Sequence, residues 1–98
     1  MKRDNVLKIL AASRSRLREY HVKSLSLFGS MARDEATEAS DVDILVEYEE
    51  GRPKGLFEFI SLMNYLEDIL GCKVDLVMRE ALRSELRDQV LRESIRAA

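Results

Sequence analysis

The chain has 98 residues, 46% of them apolar and 35% charged, and is expected to fold as one soluble domain spanning residues 1–98. The formal charge of −2 argues against a nucleic-acid binder driven by counterion release, because no basic excess exists. The lone Cys72 excludes an internal disulfide and points to a reducing, cytoplasmic setting. The charged N-terminus lacks a signal-peptide core, and no apolar run approaches the ~20 residues that span a bilayer.

Residues 3–19 carry Val6, Ile9, Leu10 and Leu17 at helical spacing and predict one helix. His21 falls in the turn that follows. Val22 to Phe28 alternates Leu25 and Leu27 with serines, as a strand with one buried face does. Gly29 ends this strand, and Ser30 to Arg33 can start one or two helical turns with Ser30 near the N-cap. Asp34 to Ser40 is polar and acidic, hence a surface loop. Val42 to Tyr48 is the second strand, and its Ile44-Leu45-Val46 run suits a central position covered on both sides.

Gly51 to Gly55 reads as a turn. Leu56, Phe59, Ile60, Met63, Leu66 and Leu70 mark a helix over residues 56–70, with Gly71 as its C-terminal cap. Lys73 to Met78 is the third strand. Glu80 to Ala98 is expected as a last helix, with a stripe of Leu82, Leu86, Val90, Leu91 and Ile95. The class is α/β in the order α-β-α-β-α-β-α, a small mixed three-stranded sheet packed by helices. The long helix between strands two and three fits a parallel crossover, and the short link between one and two allows an antiparallel pair.

That topology gathers three sequence signals at one edge: Gly29-Ser30 at the end of strand one, Asp41 and Asp43 at the start of strand two, and Asp75 in strand three. Residues two apart on a strand face the same way, so Asp41 and Asp43 share a side. Carboxylates held together repel unless a proton or cation compensates. Hard oxygen ligands in this number suit Mg²⁺, with one or two ions completed by water and phosphate. Gly29 leaves space for a close approach, and Ser30 offers a hydroxyl near free N–H groups.

Other residues have plainer readings. Arg33 can reach a phosphate or simply face water. Arg52 and Lys54 can cover a nucleotide or form a solvated turn. Arg79, Arg83 and Arg87 recur every four residues among acidic ones, as an ion-paired helix face or a docking face for an acidic partner. Cys72 reads as a small buried apolar residue, and Met31, Met63 and Met78 as core fillers.

Gly29-Ser30, ten residues, then Asp41-x-Asp43 resembles the signature of the DNA-polymerase-beta-like nucleotidyltransferase superfamily. Phe28 to Arg33 and Ser40 to Val46 are similar to its minimal branch, the MNT domain, and Lys73 to Val77 sits where that family keeps a third carboxylate. The resemblance implies the polymerase-beta-like fold. It also implies that Gly29 and Ser30 hold the β- and γ-phosphates of ATP, with Arg33 as a further nucleotide contact. Asp41, Asp43 and Asp75 then bind Mg²⁺ as the catalytic carboxylates, and Asp75 helps activate an acceptor hydroxyl. The implied reaction transfers AMP, with release of pyrophosphate, to a tyrosine of a HEPN-domain toxin, for which the chain acts as antitoxin in a complex. The alternatives are an antitoxin that neutralises by binding alone and a small-molecule nucleotidyltransferase subunit of the aminoglycoside type. A glycine commonly follows the motif arginine; here it is Asp34, a residue that tolerates positive φ better than most. Met31 stands where an aromatic or basic residue is common. The chain is consumed by the catalytic core, so another molecule must present the acceptor.

Overall fold

The computed structural model describes residues 2–35, 41–50 and 55–98. The elements are α1 (Arg3–Ala12), α2 (Arg14–Glu19), β1 (Val22–Leu27), α3 (Gly29–Ala32), β2 (Val42–Tyr48), α4 (Leu56–Leu70), β3 (Val74–Met78), a 3₁₀ turn (Arg79–Ala81), α5 (Ser84–Glu93) and β4 (Ile95–Arg96). Among the described residues the sheet has four strands in the order β3-β2-β1-β4. β1 is antiparallel to β2, with Leu25 opposite Val46 and Leu27 opposite Ile44. β2 is parallel to β3, with α4 as the crossover.

One sheet face is the core. Leu25 and Leu27 of β1, Val42, Ile44 and Val46 of β2, and Val74 and Leu76 of β3 are buried there. Val6 and Leu10 of α1, Leu17 of α2 and Leu62, Leu66 and Leu70 of α4 complete it. Tyr20 stacks on Tyr65 with centroids 5.3 Å apart, joining the end of α2 to α4. Gly71 adopts φ 69° and its N–H donates to Glu67 O at 2.8 Å, the expected glycine cap. His21 occupies the turn before β1 at φ 62°. No helix among the described residues is long and apolar enough to cross a membrane.

Four expectations need correction. The helix over residues 3–19 is two helices, broken at Ser13, whose Oγ donates to Ile9 O at 2.9 Å; a hydroxyl bonded to the i−4 carbonyl competes with the helical ladder. The last helix stops at Glu93, and the chain re-enters the sheet as a fourth strand. Ile95 pairs with Leu27, and Ala97 N–H donates to Leu25 O at 2.8 Å, covering the otherwise open edge of β1. Leu86, expected in an apolar stripe, is 51% exposed, and no residue of α5 is fully buried. In α4 the buried stripe is Leu62-Leu66-Leu70, which leaves Leu56 and Ile60 exposed beside Phe57. Met31 is buried, and Met63, Met78 and Cys72 are only half-buried against the core. The loop readings at residues 36–40, Arg52 and Lys54 lie outside the described residues.

Candidate active site

Alternation along β2 puts Asp43, Leu45 and Glu47 on the face away from the core, with Asp41 in step just before the strand. Asp75 of β3 is directly opposite Asp43. Opposed residues on neighbouring strands share a face, so the carboxylates at 43 and 75 stand side by side. Phe28, whose N–H donates to Asp43 O at 3.1 Å, flanks Asp43 from β1. The topology thus brings Asp41, Asp43 and Asp75 to one edge of the open face.

The closed pair is Asp43 with Asp75 rather than Asp43 with Asp41. Burial pushes the Asp43 carboxyl above its ordinary range. The charge of Asp75, a hydrogen bond shared with it and the charge of Asp41 push the same way, while Arg33 opposes them. Asp41 and Asp75 are themselves exposed. Among the described residues, no three acidic, histidine or cysteine side chains stand at ready-made metal-holding spacing. The donor set nevertheless fits a hard divalent cation. It consists of carboxylates on one face, and the most buried of them is raised above the ordinary carboxyl range by burial first and by its acidic neighbours second, a repulsion that a bound cation relieves.

Gly29 makes the corner possible. Its φ is 65°, and a Cβ there would sit on Asp43 Oδ2. α3 then turns away from β1, anchored by the buried Met31 and Ala32. Arg3 Nη1 donates to Ala32 O at 3.1 Å and Glu35 N–H to Ser30 O at 2.9 Å. Ser30 lies inside the first turn of α3; Phe28 holds the N-cap position expected for it. Asp34 adopts φ 59°, a conformation that Asp tolerates better than most residues.

Arg33 points along the surface. Its guanidinium meets Glu35 at 3.2 Å and Glu93 of α5 at 3.4 Å. The hydrogen bond to Glu35 is the larger of the influences that raise its pKa. The Glu93 contact escapes sequence reasoning, since nothing local links residues 60 apart. Lys73 was also missed. The β2–β3 register continues to place it opposite Asp41, and its carbonyl accepts from Val42 N–H at 3.0 Å. Its position two residues before Asp75 on a strand was the available signal.

With this geometry in place, the chain belongs to the nucleotidyltransferase domain family, which it matches over residues 7–97. It is 46% identical over 93 residues to the protein adenylyltransferase MntA of Thermococcus cleftensis, covering 94% of this chain and 92% of that protein. A Methanocaldococcus jannaschii protein assigned as a protein adenylyltransferase is 43% identical over 77 residues, covering 79% of this chain and 77% of its own. A solved structure assigned as a minimal nucleotidyltransferase superposes with TM-score 0.83 at 40% identity, covering 97% of this chain and 95% of the other. The fold also recurs, at 21% identity and TM-score 0.65, in a complex of tri-AMPylated Shewanella oneidensis HEPN toxin with MNT antitoxin, over 94% of this chain and 71% of that one. The expected polymerase-beta-like α/β fold is therefore correct, with one strand more than the sequence suggested.

Proposed function

We propose that this chain transfers AMP from ATP to a hydroxyl, a tyrosine in our reading, on a HEPN-domain toxin, and so acts as its antitoxin in the cytoplasm. The observation that carries the proposal is the opposition of Asp43 and Asp75 on neighbouring strands, with Gly29 closed against Asp43. The names of the Thermococcus and Shewanella relatives support the acceptor: one is a protein adenylyltransferase, the other holds an AMPylated toxin.

In this reading Asp41, Asp43 and Asp75 hold Mg²⁺. The ion, when bound, supplies the positive charge that phosphoryl transfer needs at the phosphate oxygens. Gly29 and Ser30 receive the β- and γ-phosphates, and Arg33 adds a charged contact. The acceptor oxygen attacks the α-phosphorus, the bond to the bridging oxygen breaks and pyrophosphate leaves. Asp75, exposed at the outer side of the pair, takes the hydroxyl proton. Positioning provides most of the rate in such transfers, so the partner that presents the hydroxyl is part of the site.

The test mixes the chain with the product of the adjacent gene, Mg²⁺ and nucleoside triphosphates labelled on the α-phosphate. Label on the partner with ATP, lost on Asp41→Asn and Asp43→Asn, is the expected result. Absence of label with every nucleotide overturns the proposal. Undiminished neutralisation by the unlabelling variants would instead identify an antitoxin that works by binding.

A further inference from the structure

The arginines after β3 do not form the ion-paired helix face that their spacing suggests. Arg79 lies in the 3₁₀ turn and its Nη1 meets Glu47 Oε2 at 2.5 Å across the open face. Arg87 turns inward on α5, where Nη2 donates to Leu82 O at 3.2 Å. Its Nε is buried with no hydrogen-bond partner among the described residues.

Both arginines line a groove on the sheet face that carries the candidate carboxylates. Ser24, Ser26 and Leu45 floor a hollow of about 320 Å³, walled by Arg79, Arg96 and Leu91 of α5. It continues into a second hollow of about 300 Å³ where Arg87 and Glu80 join Glu47 and Arg79. Leu45 is two residues beyond Asp43 on the same strand and face, so the groove begins about 7 Å from the carboxylate row. Arg79, Arg87 and Arg96 line it against two carboxylates, Glu47 and Glu80. Glu47 already takes both Arg79 and Lys23, the latter at 3.5 Å. In a chain of net charge −2, this is a local positive excess.

We propose that the groove docks an extended acidic segment of the partner protein, running along β2 so that its hydroxyl reaches Asp75. The proposal rests on the transfer reaction above and names the partner's chemistry. Apolar Leu45 and Leu91 with two serine hydroxyls suit a peptide of mixed carboxylate and apolar side chains better than a bare polyphosphate. Opposite charge across such a surface sets encounter rate and register.

Fluorescein-labelled poly-L-glutamate serves as the probe, followed by fluorescence anisotropy with the full chain. Wild type is expected to bind it, more weakly as salt rises. Arg96→Glu, on an exposed edge position, weakens binding about tenfold, as does Arg87→Gln from the other end of the groove, while Arg96→Lys stays near wild type. In the labelling assay, unlabelled polyglutamate raises KM for the partner and leaves KM for ATP unchanged. Equal binding by wild type, Arg96→Glu and Arg87→Gln overturns the proposal. So does displacement of the peptide by ATP, or preference for a single-stranded oligonucleotide over polyglutamate. The anisotropy needs no catalysis: intact peptide binding without labelling sinks the reaction and spares the groove, whereas labelling indifferent to polyglutamate does the reverse.

Discussion

Asp43 and Asp75 face each other across the parallel β2–β3 ladder with both side chains on the open face. The Asp43 carboxyl is raised, by burial first and by Asp75 second, and the charge of Arg33 offsets only part of this. A raised acid pKa means that the folded state binds the proton more tightly than the unfolded one. The stability it confers is complete below the unfolded carboxyl pKa and is lost as pH rises through the folded value. Metal-free Asp43→Asn is therefore expected to melt above wild type at pH 7 to 8, with the difference closing toward pH 4. Mg²⁺ raises the melting temperature of wild type and not of the variant, while the variant loses at least about 100-fold in transfer. Thermal melts over pH, with and without the ion, check all three.

Gly29 and Gly71 form a natural control pair. Both adopt left-handed φ, 65° and 69°, but an added Cβ collides with Asp43 at Gly29 and meets nothing within 4 Å at Gly71. Each alanine substitution costs about 1 kcal/mol of backbone strain. Gly71→Ala should lower stability by that amount and leave transfer per folded molecule unchanged. Gly29→Ala displaces the Asp43 carboxylate as well and should lower transfer at least tenfold beyond its effect on folding. Equal activity in the two variants, measured with folded fractions matched by circular dichroism, would remove Gly29 from the site.

The placement of the three carboxylates was legible because its rules are local. Two residues apart on a strand means one face, a glycine corner needs no partner, and a crossover helix forces β2 and β3 parallel; these placed Asp41, Asp43 and Asp75 together. The positive φ of Asp34, 59°, agrees with its place where the resembling family commonly has glycine. Legibility failed where non-local pairing decides. The apolar periodicity over residues 80–98 is helical, yet Ile95 forms a strand because the edge of β1 offers main-chain partners. Arg33 finds Glu93 because α5 crosses the open face, which no window of sequence shows. In α4 the expected Leu66 and Leu70 are buried, but Leu56 and Ile60 only imitate core residues, and Leu62, outside the expected stripe, takes the place in the core.

Arg33 tests the nucleotide corner. Its bonds to Glu35 and Glu93 are exposed and contribute little to stability. A triphosphate offers stronger charge-assisted partners. Arg33→Ala should leave the melting temperature within error of wild type and raise KM for ATP about tenfold. Glu93→Gln should change the same KM by less than about threefold, because Glu35 still orients the guanidinium. An unchanged KM in Arg33→Ala would remove this residue from the nucleotide contacts.

Glu47 lies on the same strand and face as Asp43 and has the opposite titration. Its hydrogen bond with Arg79, first, and the charges of Lys23 and Arg79 lower its carboxyl pKa against a smaller effect of burial. The folded state binds this proton less tightly than the unfolded one. The resulting stability is present above the unfolded carboxyl pKa and is lost as pH falls through the folded value. Glu47→Gln should therefore destabilise the protein at pH 7 by at most about 1 kcal/mol, a modest sum because Lys23 and Arg79 are both largely exposed. The penalty should fade as the pH falls below about 4, where Asp43→Asn also ceases to differ from wild type. Urea midpoints for both variants across pH 3 to 8 check the pair, and slopes of the same sign for the two residues would contradict the charge arrangement of this face.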